Sequence, residues 1–261
     1  MPLPTAYSNV AGELKSMSFT LENVVPWGRS FDEYVAMFAL SDADLQRRIL
    51  GCGDGPASFN ALLTMQGGQV LSVDPLYRFS TEDIRKRIDE TYADVMEQTR
   101  KNEHEFIWAN IKSVNILGQL RMAAMDEFLS DYARGAEQGR YVDGALPHLP
   151  FPDRQFDIAV CSHLLFLYSE QLTLDFHFAS IQELCRVASE VRIFPLLELG
   201  AKPSRHLQLL TADLTDAGYS VAITNVDYEF QRGGNQMMQI HRVEPVAAAD
   251  SQGSCTFDIA Q

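Results

Sequence analysis

A glycine-rich loop supplies the residue types best suited to holding a ligand: Gly51, Cys52, Gly53, Asp54 and Gly55 follow one another in the chain. Glycines let a backbone approach a bound molecule closely, and a helix that begins after the loop presents free N–H groups to it. An apolar segment, Arg48–Leu50, precedes the loop. A helical pattern follows over residues 57–66, and Pro56 suits its first position. The pattern therefore predicts a strand, a ligand-binding turn and a helix.

A second candidate group is the carboxylate of Asp74, which ends the next apolar strand, predicted over residues 69–73. At this point of nucleotide-binding α/β folds, a carboxylate can accept hydrogen bonds from the hydroxyls of a ribose. NAD-binding proteins place a third glycine in the pattern GxGxxG, but Pro56 or Ser58 occupies that position here. The loop and the acid therefore favour a nucleoside-type cofactor other than NAD.

Strands and helices alternate along most of the chain, which predicts an α/β protein built on a parallel sheet. Further strands are predicted over residues 156–162, 189–197, 219–226 and 236–242. Further helices are predicted over residues 31–46, 173–186 and 203–217. The glycines at 233 and 234 form a turn between the last two strands, which are expected to pair antiparallel.

A long charged stretch over residues 80–139 interrupts this alternation. Ser80 is followed by acidic residues, as at the start of a helix, and the helical pattern continues to Lys101. A second helical stretch covers residues 113–132. Because the stretch lies between strands, we expect a helical insertion that acts as a lid over the substrate side of the site.

The composition is that of a folded, acidic protein. Acidic residues outnumber basic ones by 35 to 21, and the formal net charge of −14 disfavours nucleic-acid and anionic-membrane partners. No apolar run approaches the roughly 20 residues of a membrane span, and the start of the chain lacks a signal-peptide pattern, so a cytoplasmic location is expected. Cys52, Cys161 and Cys185 fall in apolar segments and should be buried thiols. No His/Cys spacing predicts a metal site.

Two markers, in this order, connect the chain to a known family. The first is the glycine loop followed by Asp74, and the second is Leu149–Asp157, which reads LPFPDRQFD before a predicted strand. In both, the chain resembles the class I, Rossmann-like methyltransferases that use S-adenosylmethionine (SAM). Val25–Ser30 and Arg192–Leu196 more closely resemble a bacterial branch of unassigned substrate. The resemblance spans about residues 25–243.

The resemblance implies a seven-stranded, mostly parallel sheet with helices on both faces, five parallel strands being followed by an antiparallel pair. It also implies SAM as methyl donor and S-adenosylhomocysteine (SAH) as product. The residues expected to contact the cofactor are Trp27, Arg29, Gly51, Cys52, Gly53, Asp54, Gly55, Asp74, Pro75, Leu76, Asp143, Ala145, Leu146, Ser162 and His163.

The sequence departs from the family's pattern at three positions. Gly51 stands where the family has an acid that helps to order the loop, and Ala57 stands where it has a third glycine. Asp54 is the candidate replacement for the missing acid. The family's adenine-contacting acid corresponds to Ala145, and Asp143 is the nearest substitute.

The candidate catalytic residues are His163 and Tyr168, which follow the strand predicted over residues 156–162. Methyl transfer is an in-line displacement that works largely by positioning, and a base is needed only for a protonated acceptor. As a base, His163 would set an acidic limb of the pH profile near its ordinary pKa of about 6.5. In the alternative reading it only shapes the cofactor pocket. Arg29 is a candidate partner for the carboxylate of SAM.

We therefore expect residues 1–30 to lie over the cofactor site, residues 31–79 and 140–243 to form the methyltransferase core, residues 80–139 to form the lid, and residues 244–261 to form a disordered tail. The predicted function is methylation of a small-molecule acceptor, without nucleic-acid or membrane partners. Two alternatives stay open: a protein or peptide methyltransferase, and a non-catalytic SAM-binding subunit. The sequence leaves the oligomeric state open.

Overall fold

The computed structural model describes residues 25–243, which form a sheet with helices on both faces. The strands are β1 (Arg48–Cys52), β2 (Gln69–Val73), β3 (Tyr141–Val142), β4 (Phe156–Ser162), β5 (Ala188–Phe194), β6 (Leu197–Glu198), β7 (Lys202–Pro203), β8 (Tyr219–Asn225) and β9 (Gln236–Arg242). The α-helices are α1 (Phe31–Met37), α2 (Phe59–Met65), α3 (Thr81–Lys101), α4 (Val114–Glu137), α5 (Leu174–Val187) and α6 (Leu207–Asp216). The tail predicted over residues 244–261 and most of the predicted N-terminal segment lie outside the described residues.

Seven strands form one sheet in the order β3-β2-β1-β4-β5-β9-β8. Neighbouring strands from β3 to β5 run parallel, and β9 runs antiparallel to both β5 and β8. The predicted Rossmann-like α/β sheet, with five parallel strands and an antiparallel pair, is therefore confirmed. The chain order reverses between β1 and β4, and in open α/β sheets such a reversal leaves a crevice at the carboxyl ends of the strands, where ligands bind. The glycine loop begins at this crevice.

The central strands are buried because their alternate side chains pack into two hydrophobic layers. Leu50 and Cys161 join the layer that contains α5 and α6, whereas Ile49 and Val160 join the layer that contains α1 and α2. In the register of β1 and β4, Cys52 lies beside Cys161. The two strands therefore end side by side, and the loops that follow them rest on a densely packed base.

The stretch over residues 80–139 is only partly an insertion. Strand β3, which the sequence does not predict, pairs in parallel with β2, and parallel neighbours require a crossover connection. Helix α4 supplies the end of that crossover and contacts both α2 and β3, while α3 packs along α4. The Tyr132 hydroxyl fixes α4 by donating to the carbonyls of Tyr77 and Phe79, over 2.9 and 3.0 Å. The expectation of one separate insertion is therefore corrected: α4 belongs to the core connection.

Three predicted helices are shorter in the structure. The helix predicted over residues 203–217 begins only at Leu207, because Lys202–Pro203 forms strand β7. The helix predicted over residues 31–46 ends at Met37, and Ala39 soon after it has a left-handed backbone with φ of 46°, which breaks a right-handed helix. The helix predicted over residues 57–66 begins later, so Pro56 lies in the loop and not at the first helical position.

The cysteines described between residues 25 and 243 are free and buried, as predicted: Cys52, Cys161 and Cys185. Cys255 lies outside the described residues. Over the same range, every helix is too short or too polar to cross a membrane.

A buried ion pair joins α4 to α1. Arg121 has no exposed surface, and its Nη1 and Nη2 donate to Glu33 Oε2 and Oε1 over 2.5 and 2.7 Å. The Tyr228 hydroxyl donates to Glu33 Oε1 over 2.7 Å, and the Ser30 N–H donates to Oε2 over 2.9 Å. Burial acts to raise the pKa of Glu33, but the charge and hydrogen bonds of Arg121 outweigh it, and the pKa lies well below its ordinary value. The carboxylate is therefore ionised wherever the protein is folded near neutral pH.

Replacing Arg121 with alanine should destabilise the fold strongly, because the Glu33 carboxylate would stay buried without its principal counter-charge. We expect the free energy of unfolding to fall by about 3–5 kcal/mol, measured by urea denaturation at neutral pH. Lys86→Ala is the matched control, since Lys86 pairs with Glu90 on the surface over 3.9 Å and such pairs contribute at most about 1 kcal/mol. Equal losses of unfolding free energy in the two variants would show that the buried pair stabilises the fold no more than a surface pair does.

Candidate functional site

A cavity opens at the carboxyl ends of β1, β2 and β4 and extends beneath α3 and the loop before β9. Its first part, called here the loop part, is lined by Trp27, Arg29, Tyr34, Gly53, Asp54, Gly55, Pro56, Asp74, Pro75, Leu76, Ser162, His163 and Leu164. Its second part, called here the roofed part, is lined by Val95, Thr99, Phe106, Leu117, Leu167, Tyr168, Leu199, Phe230 and Gln231. The sheet therefore brings most of the predicted site residues to one cavity wall.

The roof is made by two loops that hydrogen-bond to each other. The Ile107 N–H donates to the Phe230 carbonyl over 2.7 Å, and the Arg232 N–H donates to the Glu105 carbonyl over 2.8 Å. The rings of Phe106 and Phe230 stack with centroids 4.8 Å apart. The segment between α3 and α4 is thus joined to the segment between β8 and β9, and both supply residues to the cavity wall.

The glycine loop turns sharply after β1 because Gly53 and Gly55 both adopt left-handed conformations, with φ of 68° and 53°. The Gly53 N–H donates to the Val73 carbonyl over 2.9 Å, which keeps the loop against β2. A Cβ built on Gly55 would meet no atom within 4 Å, so this residue borders open space. The loop can therefore present its backbone to a ligand.

The Asp74 carboxylate holds the loop from the end of β2. Its Oδ1 accepts the Leu76 N–H over 2.8 Å, and its Oδ2 accepts the Gly55 N–H over 2.9 Å. Burial raises the pKa of Asp74 to about 6, although these two backbone donors act to lower it. Each carboxylate oxygen can accept a further hydrogen bond, so Asp74 has capacity for two ligand donors.

The Asp54 carboxylate occupies the place of the acid that Gly51 lacks. A Cβ built on Gly51 would lie 1.8 Å from Asp54 Oδ2, so the two positions cannot both carry a side chain in this conformation. Oδ1 of Asp54 accepts the Tyr34 hydroxyl over 2.8 Å, and Oδ2 accepts the Ser72 hydroxyl over 2.6 Å. Burial raises the pKa of Asp54 to about 7, against the effect of these two donors. The loop is thereby tied to α1 and to β2 through a side chain of its own.

The segment before α1 forms one wall of the loop part. Arg29 donates from Nη1 to the Trp27 carbonyl over 2.9 Å, and its buried Nε has no hydrogen-bond partner among the described residues. Burial and the charge of Arg121 lower the pKa of Arg29 to about 10, while Tyr228 and Glu33 oppose this effect. Arg29 is therefore a cation at neutral pH whose guanidinium borders the cavity.

His163 follows β4 in a left-handed conformation with φ of 53°, which is uncommon for a residue with a side chain and costs about 1–3 kcal/mol. Its N–H donates to the Phe194 carbonyl over 2.7 Å, and its Nδ1 lies 2.8 Å from the Ser162 hydroxyl oxygen. Burial and the charges of Arg29 and Arg121 hold the pKa of His163 well below 6.5. We therefore no longer expect His163 to set an acidic limb of the pH profile near pH 6.5.

Tyr168 also lines the cavity, and burial raises the pKa of its hydroxyl to about 12. At neutral pH the hydroxyl is protonated and acts as a hydrogen-bonding group.

Several predicted cofactor contacts are not brought to the cavity. Gly51 and Cys52 lie inside β1, and the Cys52 side chain packs in the hydrophobic core. Asp143 pairs with Arg78 over 2.9 Å on the surface, so it is not placed as the adenine contact. Ala145 and Leu146 likewise lie off the cavity wall: Ala145 bridges to His148, and Leu146 is a core residue.

The residues that position this wall are not predicted from the sequence. Glu33 and Tyr34 are on α1, and Arg121 is on α4. One signal was available for Arg121, because it falls at helical spacing between the apolar residues Leu117 and Met125. An arginine in a buried stripe needs a partner, but nothing in the sequence identifies Glu33 as that partner.

Within residues 25–243, no group of three or more His, Cys, Asp and Glu side chains could hold a metal ion. The functional groups of the cavity wall are instead the carboxylates of Asp54 and Asp74 beside the glycine loop, the guanidinium of Arg29 and the half-buried imidazole of His163.

Comparison with solved structures finds only weak likeness. Magnesium protoporphyrin IX methyltransferase from Synechocystis, solved with bound SAM, has a TM-score of 0.41 and 15% identity, covering 82% of this chain and 78% of that one. A SAM-dependent methyltransferase from Aquifex aeolicus has a TM-score of 0.38 and 14% identity, covering 81% and 87%. No protein-family model matches the chain. The fold assignment rests on the strand order and register described above.

The fold and the cavity define an α/β protein of the Rossmann-like class with a ligand crevice at the β1–β4 reversal. Within that class, the chain is 33% identical over 224 residues to the uncharacterized protein MJ0045 of Methanocaldococcus jannaschii, covering 85% of this chain and 98% of the relative. The chain belongs to the same family as MJ0045. The resemblance of two segments to a bacterial branch stays a prediction, since this relative is archaeal.

The raised pKa of Asp54 predicts a specific dependence of stability on pH. Because the folded-state pKa is about 7 and the unfolded value is about 3.9, the folded chain binds more protons between these values, and its stability falls as the pH rises through them. Asp54→Asn removes this titration. The free energy of unfolding of the variant, relative to the parent, should therefore rise between about pH 5 and about pH 8 in urea denaturation without ligand.

Asp157→Asn is the control for this experiment. Its carboxylate pairs with Arg48, whose hydrogen bonds lower the pKa of Asp157 to about 2, so its titration is complete below the range measured. The effect of that substitution should be equal at both pH values. If Asp54→Asn gave a pH-independent difference as well, Asp54 would not be the buried acid described here.

The lowered pKa of His163 can be measured directly. In ¹H–¹⁵N long-range NMR spectra of the imidazoles, His163 should keep the signals of a neutral ring as the pH falls through about 6.5, because burial and two nearby cations oppose its protonation. The urea-unfolded chain provides the reference, in which every histidine should titrate near about 6.5. A folded-state midpoint near that value would restore His163 as a general base active at neutral pH.

Proposed function

We propose that this protein transfers a methyl group from SAM to a small-molecule acceptor and releases SAH. The observation that carries the proposal is one continuous cavity, in which the glycine loop and Asp74 adjoin the roofed part. The glycine loop and Asp74 can bind a nucleoside-type cofactor, and the roofed part can hold a second molecule. Methyl transfer is an in-line displacement that depends mainly on holding the two reactants side by side.

The residues of the loop part fit SAM. Asp74 has free acceptor capacity for the ribose hydroxyls, and Trp27 and Leu76 offer apolar surface near it for the adenine. The methionine part carries a carboxylate, and the Arg29 guanidinium, with its unpartnered Nε, is the cation on this wall that can pair with it. The open space beside Gly55 leaves room for a ligand against the backbone.

When bound, SAM supplies a methyl group activated on a sulfonium sulfur. The chain's own residues bind and orient the reactants: Asp74 fixes the ribose, and Asp54 holds the loop in place from below. His163 and Tyr168 both line the cavity. A neutral imidazole of low pKa is a weak base, and a hydroxyl of pKa about 12 is protonated, so we assign both residues to orienting the acceptor.

The structure bears on the two alternative functions. A non-catalytic SAM-binding subunit is favoured by the missing motif acid at Gly51, but the Asp54 carboxylate occupies that space. A protein or peptide methyltransferase would need an open groove, whereas the joined loops around Phe106 and Phe230 cover the site. Both observations support an enzyme with a small acceptor, and the net charge of −14 supports the absence of a nucleic-acid partner.

Asp74 and the surface residue Asp153 provide a matched test of the cofactor site. Asp74→Ala should weaken SAH binding by about 1.5–3 kcal/mol, because it removes a charged acceptor for the ribose hydroxyls. Asp153→Ala should leave the affinity unchanged, because Asp153 pairs with Arg186 on the surface over 2.7 Å and does not line the cavity. Isothermal titration calorimetry with SAH measures both. Unchanged affinity in Asp74→Ala would contradict the assignment, as would failure of the parent chain to bind SAH.

A further inference from the structure

A chain of hydrogen bonds leads from the Asp54 carboxylate to the cavity wall. Asp54 Oδ1 accepts the Tyr34 hydroxyl over 2.8 Å, and Oδ2 accepts the Ser72 hydroxyl over 2.6 Å. The Asn60 amide donates to the Ser72 oxygen over 3.1 Å, which leaves the Ser72 proton directed at the carboxylate. Because an ionised carboxylate only accepts hydrogen bonds, the Tyr34 proton is likewise committed to Asp54.

The next member of the chain is the Ser162 hydroxyl, which donates to the Tyr34 oxygen. Burial and the Asp54 carboxylate raise the pKa of Tyr34 well above its ordinary value, whereas the hydrogen bond from Ser162 acts to lower it. The Tyr34 and Ser162 side chains are both buried, and both residues line the cavity. A serine hydroxyl carries a single proton, so the Ser162 oxygen can only accept from its other neighbour.

That neighbour is the imidazole of His163. Its Nδ1 lies 2.8 Å from the Ser162 hydroxyl oxygen, and burial together with the charges of Arg29 and Arg121 holds the pKa of His163 well below 6.5. The ring is therefore neutral and carries its proton on one nitrogen. Since the Ser162 oxygen must accept, that nitrogen is Nδ1.

The other ring nitrogen, Nε2, is then left with a lone pair. Among the described residues Nε2 has no hydrogen-bond partner, and yet it is not fully enclosed. It is accessible from the cavity that His163 lines. The wall thus presents a hydrogen-bond acceptor to whatever molecule enters.

We propose that the chain from Asp54 fixes His163 as the tautomer with its proton on Nδ1, and that Nε2 accepts a hydrogen bond from an N–H or O–H group of the methyl acceptor. This inference rests on the proposed function, because it names the chemistry that the acceptor presents at the same site. Asp54, Tyr34 and Ser162 are positioning residues, since they act through His163. A molecule that offers only lone pairs at this point would leave Nε2 unpaired and would bind less well.

The tautomer can be read directly from ¹H–¹⁵N long-range NMR spectra of the full chain, in which protonated and unprotonated ring nitrogens give separate signals. The spectra are recorded at about pH 9, where Asp54, with a pKa of about 7, is ionised. We expect the protonated signal at Nδ1 of His163 and the unprotonated signal at Nε2. A proton on Nε2 in the parent chain would overturn the proposal.

Variants interrupt the chain at two points. Ser162→Ala removes the acceptor of the Nδ1 proton, so the proton should move to Nε2, where water in the cavity can accept it. Tyr34→Phe frees the Ser162 hydroxyl to donate to Nδ1, with the same result. Ser162→Thr keeps the hydroxyl and should keep the parental tautomer. Tyr132→Phe is the control, since the buried Tyr132 hydroxyl donates instead to the carbonyls of Tyr77 and Phe79. An unchanged tautomer in both Ser162→Ala and Tyr34→Phe would contradict the proposal.

A pair of probes tests the chemistry of the acceptor. Phenol carries an O–H group, and anisole is the same ring with that group methylated. In the parent chain saturated with SAH, phenol should shift the Nε2 signal of His163 towards the protonated type, whereas anisole should leave it in place. In Ser162→Ala the shift caused by phenol should fall severalfold, because Nε2 already carries the proton.

The outcomes separate this inference from the proposed function. If the parent chain fails to bind SAH, the proposed function is wrong. If it binds SAH but His163 carries its proton on Nε2, the inference is wrong and the proposed function stands. The same conclusion follows if phenol leaves the Nε2 signal unshifted, or if phenol and anisole shift it equally.

Discussion

The site depends on one constraint: the glycine loop must stay in a left-handed double turn above the ends of β1 and β2. Two carboxylates enforce this. Asp74 accepts the Gly55 N–H from beside the loop, and Asp54 reaches under it to the hydroxyls of Tyr34 and Ser72. Burial raises the pKa of both acids, because it makes their ionised forms less favourable in free energy. Ligand donors arriving at Asp74 would reduce that cost, which couples cofactor binding to the order of the loop.

The second constraint is the ion pair that connects the wall to the roof. Arg121 on α4 and Tyr228 in the loop before β9 both bind the Glu33 carboxylate on α1. Helix α4 also completes the crossover from β2 to β3, so the element that leads into the roof is continuous with the core. A cover anchored in this way can enclose a small acceptor while leaving the sheet undisturbed.

Much of the fold follows from local sequence, since alternating apolar runs predict the long strands and the loop spacing predicts the position of Asp74. The short strand β3 could not be predicted, because two residues carry no periodic signal and exist as a strand only through pairing with β2. The role of Asp54 was anticipated as a replacement acid, but its partners are remote in sequence. Likewise, Asp143 looked suitable by position, but it pairs with Arg78 and does not line the cavity. Tertiary contacts of this kind decide which candidate side chains reach a site.

The most direct test of the account is a crystal structure of the chain with SAH. We predict that the ribose hydroxyls lie within hydrogen-bond distance of Asp74, that the methionine part lies along Gly53 and Gly55, and that the sulfur atom faces the enclosed space beneath Phe106 and Phe230. SAH bound elsewhere, or bound with its sulfur directed to open solvent and away from that space, would contradict the account.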